Sequence, residues 1–321
     1  MTSLISQIRQ SKRIVIVSHV HPDGDAVGST LGLTLSLTQL GFQAEAYLRD
    51  GVATVFQFLD GWKTINTSVL PSDADLCIIL DAPDAARTGY GDLIRAYAKR
   101  GALAYVDHHP DGDLSRLATS SLSKRDVSST AELVVELIRE LGTRITNDIA
   151  TALLTGMYTD TGGFQYSNTR EATMQMSADL MRRGARLNKI VQHISHQKSV
   201  AHLKLVGMAL ERLEVSWGGR CAVSALTHAD MLAVNAKDED LIGVVNELNT
   251  LSGVKFTLLL TELIPGDIRG SFRTADGSMF NVAALARVMG GGGHPRAAGF
   301  TVPGRISKGE SGWRVEPFLV S

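Results

Sequence analysis

Short apolar runs alternating with helix-length segments constrain the fold of this chain more than any other feature of its sequence. Residues 13–18 (RIVIVS), 44–48, 76–80 (LCIIL) and 103–106 (LAYV) have strand length, and helical patterns occupy 25–40 and 91–100. Strands that are apolar throughout and spaced by helices belong in a parallel sheet covered on both faces. Further helices are expected at 129–141 and 147–155, and Ser129 and Glu132 stand at capping-box spacing for the first of these. A polar helical stretch over 169–211, containing Arg182, Arg183 and Arg186, leads into a region of different character. There, strands at 221–226 and 255–261 and one beginning at 270–274 (GSFRT) accompany helices at 238–248 and 282–289. The last helix runs into a glycine run, and segment 304–312, rich in glycine and charge, is expected to pack poorly. The fold class that follows is α/β: a parallel-sheet N-terminal catalytic domain over 1–184, a helical linker over 185–200, and a smaller mixed α/β domain over 201–321.

Composition limits the partners. With 321 residues, 44% of them hydrophobic, the chain can bury a sizeable core, and the length favours two domains. Thirty-two basic side chains nearly cancel 33 acidic ones, for a formal charge of −1. Proteins that live on long phosphate backbones usually show a broad basic surface, which this balance does not advertise, whereas short or single nucleotides need only a few local groups. No window approaches the roughly 18 apolar residues of a membrane span, and the opening MTSLISQIRQSKR does not read as a secretory signal. Cys77 and Cys221 both sit in apolar runs and read as buried thiols. The expectation is a cytoplasmic protein with no membrane partner.

The chemistry is legible where the apolar runs stop. The first is followed by His19, Asp23 and Asp25 (HVHPDGD), the third by Asp81 (LDAPD), and the fourth by Asp107, His108 and His109; the helix at 147–155 leads into Asp160 and two glycines. In a parallel sheet the C-terminal strand ends open onto one crevice, so these carboxylates are expected to converge there with His19 and His108. Five carboxylates packed together cannot all stay ionised without cations, and divalent metals resolve the conflict. Mixed imidazole and carboxylate donors suit manganese, iron or zinc. A lone Asp after a strand is usually a turn residue or a cap, the reading kept for Asp111 and Asp113. Ser18 and Thr161 have no evident activating base, which argues against a covalent route.

The stretches HVHPDGDAVGS, LDAPD, VDHHP and GMYTDTGGF resemble the four motifs of the DHH phosphoesterase superfamily. SFRTADGSMFNVAALARVMGGGGHPRAAGF resembles the substrate-binding domain that accompanies one branch of it. Size and motif order are similar to the NrnA-type branch of nano-RNases and 3'-phosphoadenosine 5'-phosphate phosphatases. Carried over by motif, the resemblance implies two divalent ions, manganese foremost. His19, Asp23 and Asp81 would hold one, and Asp25, Asp81, His108 and Asp160 the other, with Asp81 bridging. It implies that Asp107 orients a histidine and that His109 either hydrogen-bonds a phosphate oxygen or protonates the leaving group. Arg273 and His294 would hold the terminal phosphate or nucleotide with help from Ser271, while Gly291, Gly292 and Gly293 admit backbone N–H groups close to an anion or base.

The activity implied is hydrolysis of phosphate esters. It would release nucleoside 5'-monophosphates from short 5'-phosphorylated single-stranded RNA or DNA oligonucleotides and convert 3'-phosphoadenosine 5'-phosphate to AMP, in a homodimer. Phe164 and Tyr166 are candidates for stacking a base. The same metals would serve a phosphodiesterase acting on cyclic dinucleotides or their linear products. A non-catalytic nucleotide sensor, the alternative of a different class, predicts missing ligands.

Overall fold

The wholly apolar runs are buried on both sides. The computed structural model describes residues 1–195, 198–274, 278–309 and 312–316, and the chain forms two compact units, Met1–Gln197 and Lys198–Ser321. In the first unit, strands β1 (Arg13–Val17), β2 (Gln43–Tyr47), β3 (Leu76–Leu80), β4 (Leu103–Asp107) and β5 (Ser120–Ser123) pair in parallel in the order β2-β1-β3-β4-β5. Helices α1 (Thr2–Gln10), α2 (Gly24–Gln39), α3 (Gly91–Lys99), α4 (Leu114–Leu117), α5 (Thr130–Leu141), α6 (Asn147–Asp160), α7 (Glu171–Arg182) and α8 (Leu187–Ile194) complete this unit. Alternate strand residues go to opposite layers, as a period of two requires. Ile14, Ile16, Ile78 and Val106 pack with Val27 and Leu31 of α2 and Leu133 of α5, whereas Val15, Val17, Ile79 and Tyr105 pack with Ile94 and Tyr97 of α3. The chain winds one way from β1 to β2 and the other way through β3, β4 and β5. The β1/β3 boundary is therefore the topological switch point, outside whose strand ends ligands bind in open α/β sheets.

Helices α2 and α6 meet along a seam of glycines. A Cβ on Gly28 would stand 2.3 Å from the Ala152 carbonyl oxygen, and one on Gly32 would stand 2.5 Å from the Leu153 side chain. From the other helix, a Cβ on Gly156 would fall 2.5 Å from the Asp25 carboxylate and 2.8 Å from Ala131. Nothing wider than hydrogen fits there, and that closeness brings Asp25, in the first turn of α2, next to α6.

The second unit holds α9 (Val200–Glu211), α10 (His228–Ala233), α11 (Val244–Leu248) and α12 (Val282–Val288). Its main sheet comprises β6 (Glu214–Ser216), β7 (Cys221–Leu226), β8 (Phe256–Ile264), β9 (Asp267–Thr274), β10 (Gly292–His294) and β11 (Ala297–Pro303), in the order β10-β11-β9-β8-β7-β6. Only β7 and β8 pair in parallel, so the sheet is mixed. Phe272, Ala298 and Phe300 face one core with Val282 and Ala286 of α12; Leu259 faces another with Val244 and Leu248 of α11.

Several local expectations are corrected. The helix expected to stop at residue 155 continues to Asp160, so that carboxylate lies on the last turn of α6 rather than beyond it. The helix expected over 238–248 is a 3-10 turn at Asp238–Leu241 and then α11, interrupted at Gly243, whose φ of +89° a helix cannot hold. Strand β9 begins at Asp267, before Gly270, because it forms a hairpin with β8. Half of the glycine run is the strand β10. Segment 304–312 is not loosely packed where it is described: β12 (Arg305–Gly309) pairs with β13 (Gly312–Glu316), Ile306 is buried, and Trp313 Nε1 donates to the Arg212 carbonyl at 2.9 Å. Ser129 caps α5 by accepting from the Glu132 N–H, but the Glu132 carboxylate turns instead to Ser128, Thr173 and Arg170. Helix α1 and strands β5 and β6 carried no signal strong enough to anticipate. In the expected linker, residues 196 and 197 lie outside the described residues.

The seam sets the sign of a glycine substitution. Gly28→Ala gains up to about 1 kcal/mol of helix propensity but drives a methyl into a backbone carbonyl, an overpacking cost of about 1–3 kcal/mol. Gly207 in α9 has nothing within 4 Å of its would-be Cβ. Urea unfolding should show Gly28→Ala destabilised and Gly207→Ala stabilised; a stabilised Gly28→Ala protein would contradict the seam.

Candidate metal centre

The residues after β1, β3 and β4 converge with those opening α2 and closing α6. Among the described residues, three groups bring donor atoms within 4.8 Å of one another: His19, Asp23 and Asp81; Asp25, His108 and Asp160; and Asp81, Asp107, His108 and His109. Asp81 lies 3.6 Å from His19 Nε2 through Oδ2, and 3.7 Å from His108 Nε2 and 3.4 Å from His109 Nδ1 through Oδ1. It thus faces both histidine-bearing strand ends. Its φ of +57° is one that few residues other than glycine adopt, though Asp is among those that do. Backbone strain of this kind gathers at functional sites.

Local structure aims each donor. His19 Nδ1 sits 2.8 Å from the Val20 carbonyl, which selects the tautomer with the proton on Nδ1 and leaves Nε2 facing the carboxylates. Asp23 is the N-cap of α2, accepting from the Asp25 and Ala26 N–H groups at 3.0 Å each, with the same oxygen 3.9 Å from His19 Nε2. Asp25 accepts from the first amides of α5, Thr130 N–H at 2.6 Å and Ala131 N–H at 2.9 Å, where the helix dipole favours negative charge. The Thr130 hydroxyl donates to Asp81 at 3.0 Å, so one helix start anchors two of the carboxylates. Asp160 Oδ2 lies 3.4 Å from His108 Nε2.

Electrostatics divides the carboxylates into two kinds. Burial, reinforced by neighbouring Asp23 and opposed by the two α5 amides, pushes Asp25 up to about 7. Burial and then Asp25 and Asp23 raise Asp81 well above the usual carboxylate range, and burial followed by Asp25 and Asp81 does the same to Asp160. Asp107 goes the other way. Burial opposes its charge, but His109 Nδ1 at 2.7 Å, the His108 and His109 N–H groups at 2.7 and 3.0 Å and the Tyr105 hydroxyl at 2.8 Å hold it below the usual range. Four protein donors thus surround Asp107, while Asp25, Asp81 and Asp160 crowd together near imidazole nitrogens. This mixed oxygen and nitrogen donor set fits divalent cations, whose charge removes the repulsion.

Other residues singled out in the sequence lie elsewhere. His21, the second histidine of HVHPDGD and not among the expected ligands, is exposed beside Asp50, 3.2 Å away. Asp113 accepts from the Ala85 N–H, and Asp111 pairs with Arg125. The Thr161 hydroxyl is spent on the Met157 carbonyl at 2.6 Å. Phe164 packs edge-on against Tyr158, whereas Tyr166 stays 43% exposed. Sequence reasoning did not find Thr130, Tyr105 or the glycine seam. The signals were present: glycines at every fourth position (24, 28 and 32), and Tyr105 two residues before Asp107, on the same side of a strand.

The residues expected to hold substrate lie in the second unit. Arg273 pairs with Ala297, which pairs with His294; Ser271 pairs with Gly299, which pairs with Gly292. Paired residues point to the same side of a sheet, so Ser271, Arg273, Gly292 and His294 share one face. A Cβ on Gly291 would meet the Gly299 carbonyl at 2.1 Å and one on Gly293 the Ala297 carbonyl at 2.6 Å. Packing alone therefore demands those two glycines, while Gly292 is open.

Comparison with known proteins places this arrangement. Residues 13–157 match the model of the DHH family, N-terminal domain, and residues 218–311 match the DHHA1 domain. The chain belongs to the DHH family. It is 29% identical over 293 residues to the bifunctional oligoribonuclease and PAP phosphatase NrnA of Thermus thermophilus, covering 91% of this chain and 84% of that one. The protein of the same name from Bacillus subtilis is 26% identical over 309 residues, covering 94% and 93%. The crystal structure of an exopolyphosphatase-related protein from Bacteroides fragilis superposes with a TM-score of 0.83 at 27% identity, covering 93% of this chain and 89% of that one. This DHH chain, with its clustered donors, is a metal-dependent phosphoesterase of the two-metal type. Among the described residues no helix is long and apolar enough to cross a membrane.

Raised carboxylates make cation binding readable as stability. Without cations, a carboxyl held near 7 against an unfolded value near 4 favours folding fully below about pH 4, and that contribution is lost as pH rises through 7. Divalent ions must also displace protons from these groups at low pH. Manganese should therefore raise the melting temperature more at pH 8 than at pH 5.5. An equal rise at both, or none, would count against the centre.

Proposed function

We propose that the protein uses manganese to release nucleoside 5'-monophosphates from short 5'-phosphorylated oligoribonucleotides and to convert 3'-phosphoadenosine 5'-phosphate to AMP. The observation that carries this reading is that Asp81 shares a donor group with His19 and Asp23 and lies 3.7 Å from His108 of the group formed with Asp25 and Asp160, in a chain similar along nearly its whole length to oligoribonuclease and PAP phosphatases. In this reading residues 1–184 are the catalytic domain, 201–321 bind substrate, and 185–200 join them. His19, Asp23 and Asp81 hold one divalent ion, and Asp25, Asp81, His108 and Asp160 hold the second. Bound there, such ions lower the pKa of a water and neutralise charge building on nonbridging phosphate oxygens.

The chain's own groups supply the rest. Asp107, ionised and hydrogen-bonded to His109 Nδ1, sets that ring so that Nε2 is the atom that meets the phosphate or protonates the departing oxygen. Arg273 offers a planar fork suited to phosphate oxygens. His294 and Ser271 on the same sheet face, with the backbone of Gly291, Gly292 and Gly293, complete the hold on the substrate. Hydrolysis breaks one P–O bond, with water adding oxygen to phosphorus and a proton to the leaving group.

Two measurements test the reading. A panel with manganese and EDTA controls should include 3'-phosphoadenosine 5'-phosphate, di- to pentaribonucleotides, an RNA of roughly two dozen nucleotides and cyclic di-AMP, compared by kcat/KM. The expected order puts the first two well ahead; equal turnover of the long RNA defeats the preference for short substrates, and preference for cyclic di-AMP assigns a different phosphodiesterase. In the second measurement, Asp107→Asn should lower kcat by about 10²–10⁴-fold with manganese stoichiometry unchanged, whereas Asp81→Asn should lose metal as well as activity. Loss of metal in Asp107→Asn would move Asp107 into the coordination set.

A further inference from the structure

Arginine is a poor clamp unless something clamps it. Its long side chain samples many rotamers, and fixing it on each substrate would cost affinity. In the second unit Arg273 Nε donates to Asn246 Oδ1 at 2.8 Å, and Nη1 donates to the Phe272 carbonyl at 2.8 Å. The first bond comes from a different element, the short helix α11. That helix is itself tied down: Val244, Val245 and Leu248 are buried, and Asn249 Nδ2 donates to the Thr274 carbonyl at 3.2 Å, one residue beyond Arg273. Gly243, at φ +89°, separates α11 from the preceding turn and sets where the helix starts. Asn246 is thus fixed by α11 and presents an acceptor to the inner nitrogen of the guanidinium.

The sheet register gives this contact its direction. Arg273, Ala297 and His294 form one row across β9, β11 and β10, so Arg273 and His294 lie two strand spacings apart, about 10 Å. Between them and beside them on the same face stand Ala297, Gly299 and Gly292, which leave a shallow floor. An arginine held at Nε and Nη1, both in the guanidinium plane, has that plane set. We propose that Asn246 is a positioning residue. It presets the Arg273 guanidinium over this floor, so that the terminal phosphate of a nucleotide meets a preformed fork rather than a mobile cation. The inference rests on the substrate-holding role given to Arg273 above, and it adds a residue that neither the motif resemblance nor the glycine run pointed to.

A double-mutant cycle on the full-length manganese enzyme separates the two ideas, with a 5'-phosphorylated diribonucleotide as substrate. Asn246→Ala should raise KM about tenfold with kcat little changed, since the metal-bearing unit is untouched. Added to Arg273→Ala, the same substitution should produce no further rise, because there is no longer a guanidinium to position. Asn246→Asp keeps an acceptor oxygen and should hold KM within about threefold of the parent enzyme. Equal effects of Asn246→Ala in both backgrounds, or a KM as high in Asn246→Asp as in Asn246→Ala, overturn the positioning role. If Arg273→Ala itself leaves KM unchanged, it is the substrate-holding reading that fails.

Discussion

The close crossing of α2 and α6 is the contact on which the metal centre depends. Aspartate side chains are short, and the near backbone-to-backbone approach of the two helices brings Asp25 at the start of α2 and Asp160 at the end of α6 into one donor group with His108. Gly28, Gly32 and Gly156 permit that approach, and the would-be Cβ of Gly156 falls against Asp25 itself. Packing and chemistry are here the same event. The seam is also one-sided in its tolerance, since helices of ordinary residues sit about 8–10 Å apart and any methyl at Gly28 meets main chain rather than a movable side chain.

Once drawn together, the carboxylates need different treatment to be useful. Asp25 and Asp81 are buried, Asp160 is half-buried beside them, and all three are raised, which is the signature of a site waiting for positive charge. Asp107 sits on the same sheet edge, yet four protein donors keep it ionised without help. The distinction follows from backbone placement. Asp107 ends a strand whose next two amides curl back onto it, while Asp81 leaves its strand in a left-handed conformation and turns toward the histidines. Two aspartates with similar sequence surroundings thereby acquire opposite electrostatic characters, one suited to coordinating and one to orienting an imidazole.

Much of this was legible beforehand because it depends on local pattern. Runs such as LCIIL and LAYV carry no charged side chain, so they had to be central strands of a covered sheet, and parallel strands put their C-terminal ends on one side. The convergence of His19, Asp81 and His108 followed from that alone. The second unit was harder. Gly291 and Gly293 look like an invitation to a ligand, but the pairing of β10 with β11 requires them whatever binds. A strand three residues long, two of them glycine, has no alternation from which it could be read. The break at Gly243 was likewise hidden, because isolated glycines are tolerated within a helix and its φ of +89° is visible only in the fold.

Local pattern thus set the α/β class, the parallel course of the first unit, and which side chains would gather at its strand ends. Those properties follow from hydrophobic runs and the direction of a chain in a parallel sheet. Tertiary structure alone decided which carboxylate would be raised and which held ionised, how near α2 stands to α6, and that Asn246 meets Arg273. Each of these depends on a contact between residues distant in sequence, where angstroms of approach set burial, hydrogen bonding and charge, and no local pattern encodes that distance.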